Sequence, residues 1–190
     1  GGLMFLSGVL VASAIYCGSF EKTVPVLLLT LGFGIVGFLD DYIKVVKKRS
    51  LGLKAWQKMS LQLIITALFA VYITKFLGLG LGMKIPFMPD HYLDFANYSI
   101  GGLNLGFINI ILLFFVVIGT DTGSNFTDGV DGLASSVTAV MAAFFAIASF
   151  IYEGGVTPVS MAFLGGLIGF LVFNAHPAKV FMGDTGALAL

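Results

Sequence analysis

The amino-acid sequence predicts an all-α, polytopic transmembrane helical bundle that forms a single integral-membrane domain over residues 1–190, and three observations predict it. Hydrophobic residues make up 58% of the chain and charged residues 11%, where a soluble domain carries roughly a quarter charged residues. Mean hydropathy is +1.02. The apolar residues gather into six runs, at about 3–20, 24–39, 59–77, 104–120, 133–152 and 157–174, close to the ~17 to 25 residues that a helix needs to cross a bilayer. The formal net charge of zero leaves no basic surface for nucleic acid. Cys17 is the single cysteine, so the chain has neither an internal disulfide nor a cysteine-rich metal site.

The first run lacks a basic leader and a small-residue cleavage site, so it does not read as a signal peptide. The chain opens without Met and stops inside apolar sequence, and it is read as a piece of a longer protein. The second run is short and needs Pro25 in its first turn, where a missing N–H is harmless. Scattered glycines (Gly32, Gly34, Gly37; Gly165, Gly166, Gly169) fit close helix packing in lipid.

Between the second and third runs lie Lys44, Lys47, Lys48, Arg49, Lys54 and Lys58, which makes that connection cytoplasmic. Alternation puts 121–132 and 175–186 on the same side and 18–23, 78–103 and 153–157 outside. Asp40, Asp41, Asp121, Asp128, Asp131 and Asp184 therefore share one face, although they come from three separate stretches. The outer connection contains strand-like runs, and a small β-hairpin is expected around 83–95. His91 there reads as a solvated loop residue rather than a ligand.

Three motifs carry the chemistry. Asp40-Asp41-Tyr42-Ile43-Lys44 ends the second run; if the helix continues, Lys44 lies one turn from both acids, and the competing reading is a solvated helix end. Asn125-Phe126-Thr127-Asp128-Gly129-Val130-Asp131-Gly132-Leu133 sets two acids on one side of a helical turn, with Thr127 a candidate cap and a plain Asx turn as the alternative. An ionised Asp in hydrocarbon costs on the order of 2.5 to 3.5 kcal/mol, so these acids need a purpose or a route to water. The third motif is Asn174-Ala175-His176-Pro177-Ala178-Lys179-Val180-Phe181-Met182-Gly183-Asp184-Thr185-Gly186. In it Lys179 can meet a phosphate, the glycine-flanked turn presents Asp184, and His176 is a base, a nucleotide contact or a structural partner of Pro177. Hard carboxylate ligands without thiolates favour Mg²⁺, which takes one or two carboxylates and fills its shell with water and substrate phosphates.

Taken together, these motifs resemble the polyprenyl-phosphate N-acetylhexosamine-1-phosphate transferase superfamily. The Lys44 ending of the first motif, Gly52-Leu53-Lys54-Ala55-Trp56-Gln57-Lys58, and 177–184 look like its muramoyl-pentapeptide branch, and the likeness runs along essentially the whole chain. It implies transfer of phospho-MurNAc-pentapeptide from UDP-MurNAc-pentapeptide to undecaprenyl phosphate, giving lipid I and UMP for peptidoglycan. It also implies a multi-pass protein of the bacterial inner (plasma) membrane with its active face cytoplasmic, and admits a homodimer. On matching positions, Asp184 would hold Mg²⁺, Asp40 would sit by the lipid phosphate as base or orienter, and Asp41 and Asp128 would complete the catalytic cleft. Asp131, Asn174 and Phe181 would face the uridine, Lys44 and Lys58 the phosphates, with Asn125 and Lys179 as further substrate contacts. Where the family often carries another Asn three residues before Asn125, this chain has Thr122, with Asp121 beside it. The competing expectations are a UDP-N-acetylglucosamine transferase of the neighbouring branch and an ion-coupled transporter, which would want its charges near the bilayer midplane.

Overall fold

The computed structural model describes residues 1–16, 20–48, 51–84, 92–100 and 103–190. Its helices are α1 (Gly2–Ile15), α2 (Phe20–Val46), α3 (Ala55–Val71), α4 (Phe107–Thr127), α5 (Leu133–Ile151), α6 (Thr157–Asn174) and the short α7 (Gly183–Ala187). One wider π-type turn, Tyr72–Phe76, prolongs α3. Five of these segments, Lys22–Val46, Ala55–Phe76, Phe107–Thr127, Leu133–Ile151 and Thr157–Asn174, are long and apolar enough to cross a membrane. The first expected run, 3–20, is represented among the described residues by the apolar 14-residue helix α1.

Two local expectations change. Pro25 lies inside α2 rather than in its first turn, because the helix starts at Phe20; the ring costs the helix one internal bond and α2 continues through it. At its other end α2 runs past the acids to Val46, so Asp40, Asp41 and Lys44 are all helical. The expected hairpin is represented by β1 (Met83–Lys84) paired antiparallel with β2 (Tyr92–Leu93), in the register Met83↔Leu93. A second two-residue pair, β3 (Ser99–Ile100) with β4 (Leu103–Asn104), follows it. Cys17, Arg49 and His91 lie outside the described residues.

The main core forms where α1 and α5 flank α6. Phe5, Leu6 and Val9 meet Val159, Phe163, Leu167 and Phe170, with Ala139, Ala142 and Met182 closing the cluster. The Phe5 ring lies tilted against Phe163 and Phe170 at 6.0 and 6.4 Å between centroids, a favoured aromatic geometry. Buried alanines on α5 (Ala134, Ala139, Ala142, Ala146) keep that helix thin on its inner side, as close helix approach in lipid requires. A second cluster joins Phe33 and Val36 of α2 to Leu188 just after α7. There α2 and α7 touch so closely that a Cβ at Gly37 would fall on the backbone carbonyl of Asp184. That contact puts Asp184 beside the acids of α2.

Candidate active site at one end of the bundle

The three motifs meet at one end of the bundle, around Asp184. Its Oδ2 accepts from Lys44 Nζ of α2 at 3.0 Å and from Lys58 Nζ of α3 at 3.1 Å, and its Oδ1 accepts from Asn125 Nδ2 of α4 at 3.1 Å. Lys58 also reaches Asn125 Oδ1 at 3.3 Å. Side chains from α2, α3, α4 and α7 thus close on a single carboxylate.

Asp40 and Asp41 are adjacent in sequence but differently employed. Asp40 is 3% exposed; it accepts the Leu53 N–H at 2.7 Å and pairs with Lys44 at 2.6 Å. Gly52 passes directly over it, and any Cβ there would collide with the carboxylate. Asp41 accepts from the backbone N–H groups of Asp184 and Thr185, at 3.3 and 2.9 Å, and from the Thr185 hydroxyl at 2.7 Å. It satisfies the opening turn of α7, a place where unmet N–H groups favour a negative partner.

The electrostatics follow from this crowding. Burial alone would push the Asp184 carboxyl up, but its hydrogen bonds with Asp40, Lys44 and Asn125 and the charge of Lys58 outweigh that and hold it well below the usual carboxylate range. Asp128, in the turn after α4, goes the other way: burial, then the charges of Asp184 and Asp41, push its carboxyl up to about 6. Four carboxylates therefore face two ammonium groups, and the mouth carries an excess of negative charge. Oxygens of Asp40, Asp41 and Asp184 lie within 4.8 Å of one another, close enough to share a cation. This all-oxygen set suits a hard ion that keeps part of its shell for water and phosphate.

Asp128 and Asp131 are not carried on one helical turn. No helix links them: α4 ends at Thr127, and α5 begins after Gly132 in the left-handed region at φ 70°. Asp131 Oδ2 accepts the Ala178 N–H at 3.1 Å and lies 3.2 Å from His176 Nδ1. The Ala178 N–H, assisted by His176, holds the Asp131 carboxyl below its ordinary range. Thr127 is not a cap for α5; its hydroxyl donates back to the Gly123 carbonyl within α4 at 2.7 Å.

Asn174 is buried, with its amide committed inside the protein: it accepts from Ser135 Oγ at 2.9 Å and donates to the Val180 carbonyl at 3.0 Å. It thereby fixes the strip that ends in Phe181, whose ring is 67% exposed at the rim. Lys179, also exposed, is tied through its backbone N–H to the Phe173 carbonyl at 2.8 Å. Sequence reasoning missed Thr185, Gly52 and Gln62. Gln62 carried a readable signal, because it is an amide four residues after Lys58, facing the same way on α3.

A family model described as glycosyl transferase family 4 matches residues 23–190. Curated proteins named phospho-N-acetylmuramoyl-pentapeptide-transferase are similar along the whole chain. That of Carboxydothermus hydrogenoformans is 42% identical over 196 residues, with 100% of this chain and 58% of the relative covered. That of Desulforamulus reducens is 45% identical over 196 residues, with 100% and 56% covered. That of Bacillus subtilis is 42% identical over 201 residues, with 100% and 56% covered. The chain spans somewhat more than half the length of these relatives.

Proposed function

Because this chain belongs to glycosyl transferase family 4, we propose that it forms the phosphate-handling core of a membrane enzyme that transfers phospho-MurNAc-pentapeptide from UDP-MurNAc-pentapeptide to undecaprenyl phosphate, giving lipid I and UMP. The observation that carries this reading is the convergence of Lys44, Lys58 and Asn125 on Asp184, with Asp40 and Asp41 close enough to share a cation with it. The basic connection between α2 and α3 supports a cytoplasmic active face, and the relatives' names support a bacterial plasma membrane.

Asp184, with Asp40 and Asp41 beside it, would hold Mg²⁺. When bound, the ion supplies neutralisation of the diphosphate's charge. Lys44 and Lys58 would grip phosphate oxygens, the positioning and charge compensation that phosphoryl transfer mainly requires. An oxygen of the lipid phosphate attacks the sugar-linked phosphorus of the diphosphate; a P–O bond forms there, and the bond to the departing UMP breaks. A phosphate monoester has its second pKa at about 6 and is already mostly ionised at neutral pH, so Asp40 acts as an orienter, with no proton that it must remove. Asp128 lines the same cleft. Asp131, Phe181 and Lys179 would seat the uridine and its phosphate, with Asn174 holding 180–181 in place through the Val180 carbonyl.

The test uses the full-length protein with both substrates and Mg²⁺. UMP release is expected, together with its loss in Asp184→Asn at equal expression; sustained turnover in that variant would count against the reading. A preference for UDP-N-acetylglucosamine as donor would move the protein to the neighbouring branch.

A further inference from the structure

Asp40 faces two ways. Its Oδ2 pairs with Lys44 at 2.6 Å, while its Oδ1 accepts the Leu53 N–H at 2.7 Å. Gly52 is buried and passes so near the carboxylate that a methyl there would collide with it. The Leu53 side chain meanwhile packs on the cluster of Phe33, Val36 and Leu188. Residues 51–54 thus form a strap, tied to Asp40 by its backbone and to the core by one side chain. The tie uses Oδ1 and leaves Oδ2 for Lys44 or for a cation shared with Asp41 and Asp184.

The strap leads straight into α3. Lys54 is the N-cap residue; its N–H meets Gln57 Oε1 at 3.0 Å, and its carbonyl accepts the Lys58 N–H at 3.1 Å. Lys58 therefore closes the first turn of α3, and its Nζ reaches Asp184 at 3.1 Å and Asn125 at 3.3 Å. Farther along α3, Leu61 and Ile65 pack on the same cluster as Leu53. They fix how the helix leans on α2, but a helix pinned only beyond its first turn frays there, where backbone N–H groups lack intrahelical partners. The turn that would fray is the one that carries Lys58.

We propose that residues 51–54 are a positioning strap, moored through the Leu53 N–H on Asp40 at a distance that requires Gly52, which holds the first turn of α3 so that Lys58 meets Asp184. The purpose of a held Lys58, gripping a phosphate, rests on the transferase reading, but the mooring itself can be measured without turnover. Gly52 and Leu53 touch no reacting atom; they act through Lys58.

The test is amine acetylation of the full-length protein in detergent, read by peptide mass spectrometry at Lys58, whose side chain is 19% exposed in the parent. In Gly52→Ala the strap must lift, and labelling of Lys58 should rise at least about threefold. Gly165→Ala, whose methyl meets open space, should match the parent. A second pair leaves the strap sequence intact: Asp40→Asn keeps an oxygen for the Leu53 N–H and should keep Lys58 shielded, whereas Asp40→Ala removes the acceptor and should expose it. Parental labelling in either Gly52→Ala or Asp40→Ala overturns the proposal. So does equal labelling of Asp40→Asn and Asp40→Ala, which would assign the effect to the lost charge. In turnover, Gly52→Ala should lower kcat/KM for the UDP substrate about tenfold, and a parental kcat/KM with Lys58 exposed overturns it too. Failure of the parent to release UMP would sink the transferase reading alone, since the labelling reports on the strap regardless.

Discussion

Asp41 of α2 accepts both the backbone N–H and the hydroxyl of Thr185, at 2.9 and 2.7 Å across 144 residues of sequence. The carboxylate is thus part of the scaffold of α7 as well as of the acidic mouth. Thr185→Val keeps the shape and the backbone bond but removes the hydroxyl donor. It should cost about 1 to 2 kcal/mol of stability, as expected for a buried bond to a charged group, and should lower kcat as Asp41 and Asp184 drift apart. Thr185→Ser should restore most of both, checked by denaturation and steady-state kinetics.

Close approach of α2 to α7 at Gly37 predicts a second effect. In Gly37→Ala the new methyl would overlap the Asp184 carbonyl, so the helices must separate. The expected destabilisation is about 1 to 3 kcal/mol, the usual range for overpacking, with loss of UMP release out of proportion to it. Gly34→Ala, where the nearest atom is a leucine methyl at 3.1 Å, should be much milder.

Asp128 gives the mouth a pH signature. Its carboxyl is pushed up to about 6 by burial and by the charges of Asp184 and Asp41, above the ordinary carboxylate value of about 3.9. Between these two values the folded protein holds a proton that the unfolded chain has released, so stability falls as pH rises through this window. Melting temperature should therefore show a component declining from about pH 4 to pH 6, absent in Asp128→Asn. Above the window the Asn variant should be the more stable. Mg²⁺ should shrink the difference by offsetting the mouth's negative charge.

Asn174 should behave as a scaffold residue. Ser135→Ala leaves the buried Asn174 Oδ1 without its donor, which should cost about 1 to 3 kcal/mol. By loosening 180–181 it should raise KM for the UDP substrate with little change in kcat. A kcat loss at constant KM would place Asn174 in the chemistry instead.

How much of this was legible in the sequence depends on the range of the interaction. Five of the span positions and the one-turn spacing of Lys44 from Asp40 and Asp41 are local, and they are present in the fold. The helical turn expected to carry Asp128 and Asp131 is absent, because α4 ends at Thr127 and Gly132 with positive φ opens a new helix. The roles of Thr185, Gly52 and Gln62 depend on partners from 12 to 144 residues away, contacts that only the folded chain makes.

The grip of α2 on α7 also sets an order of events during synthesis. Every helix through α6 can be threaded into the bilayer before the residue that gathers the two lysines has been made. Until Asp184 and Thr185 emerge and dock against Asp41, the nascent chain is a membrane bundle with its acids and cations unassembled. The contacts that gather Lys44, Lys58 and Asn125 on Asp184 therefore form only after α6 has been completed.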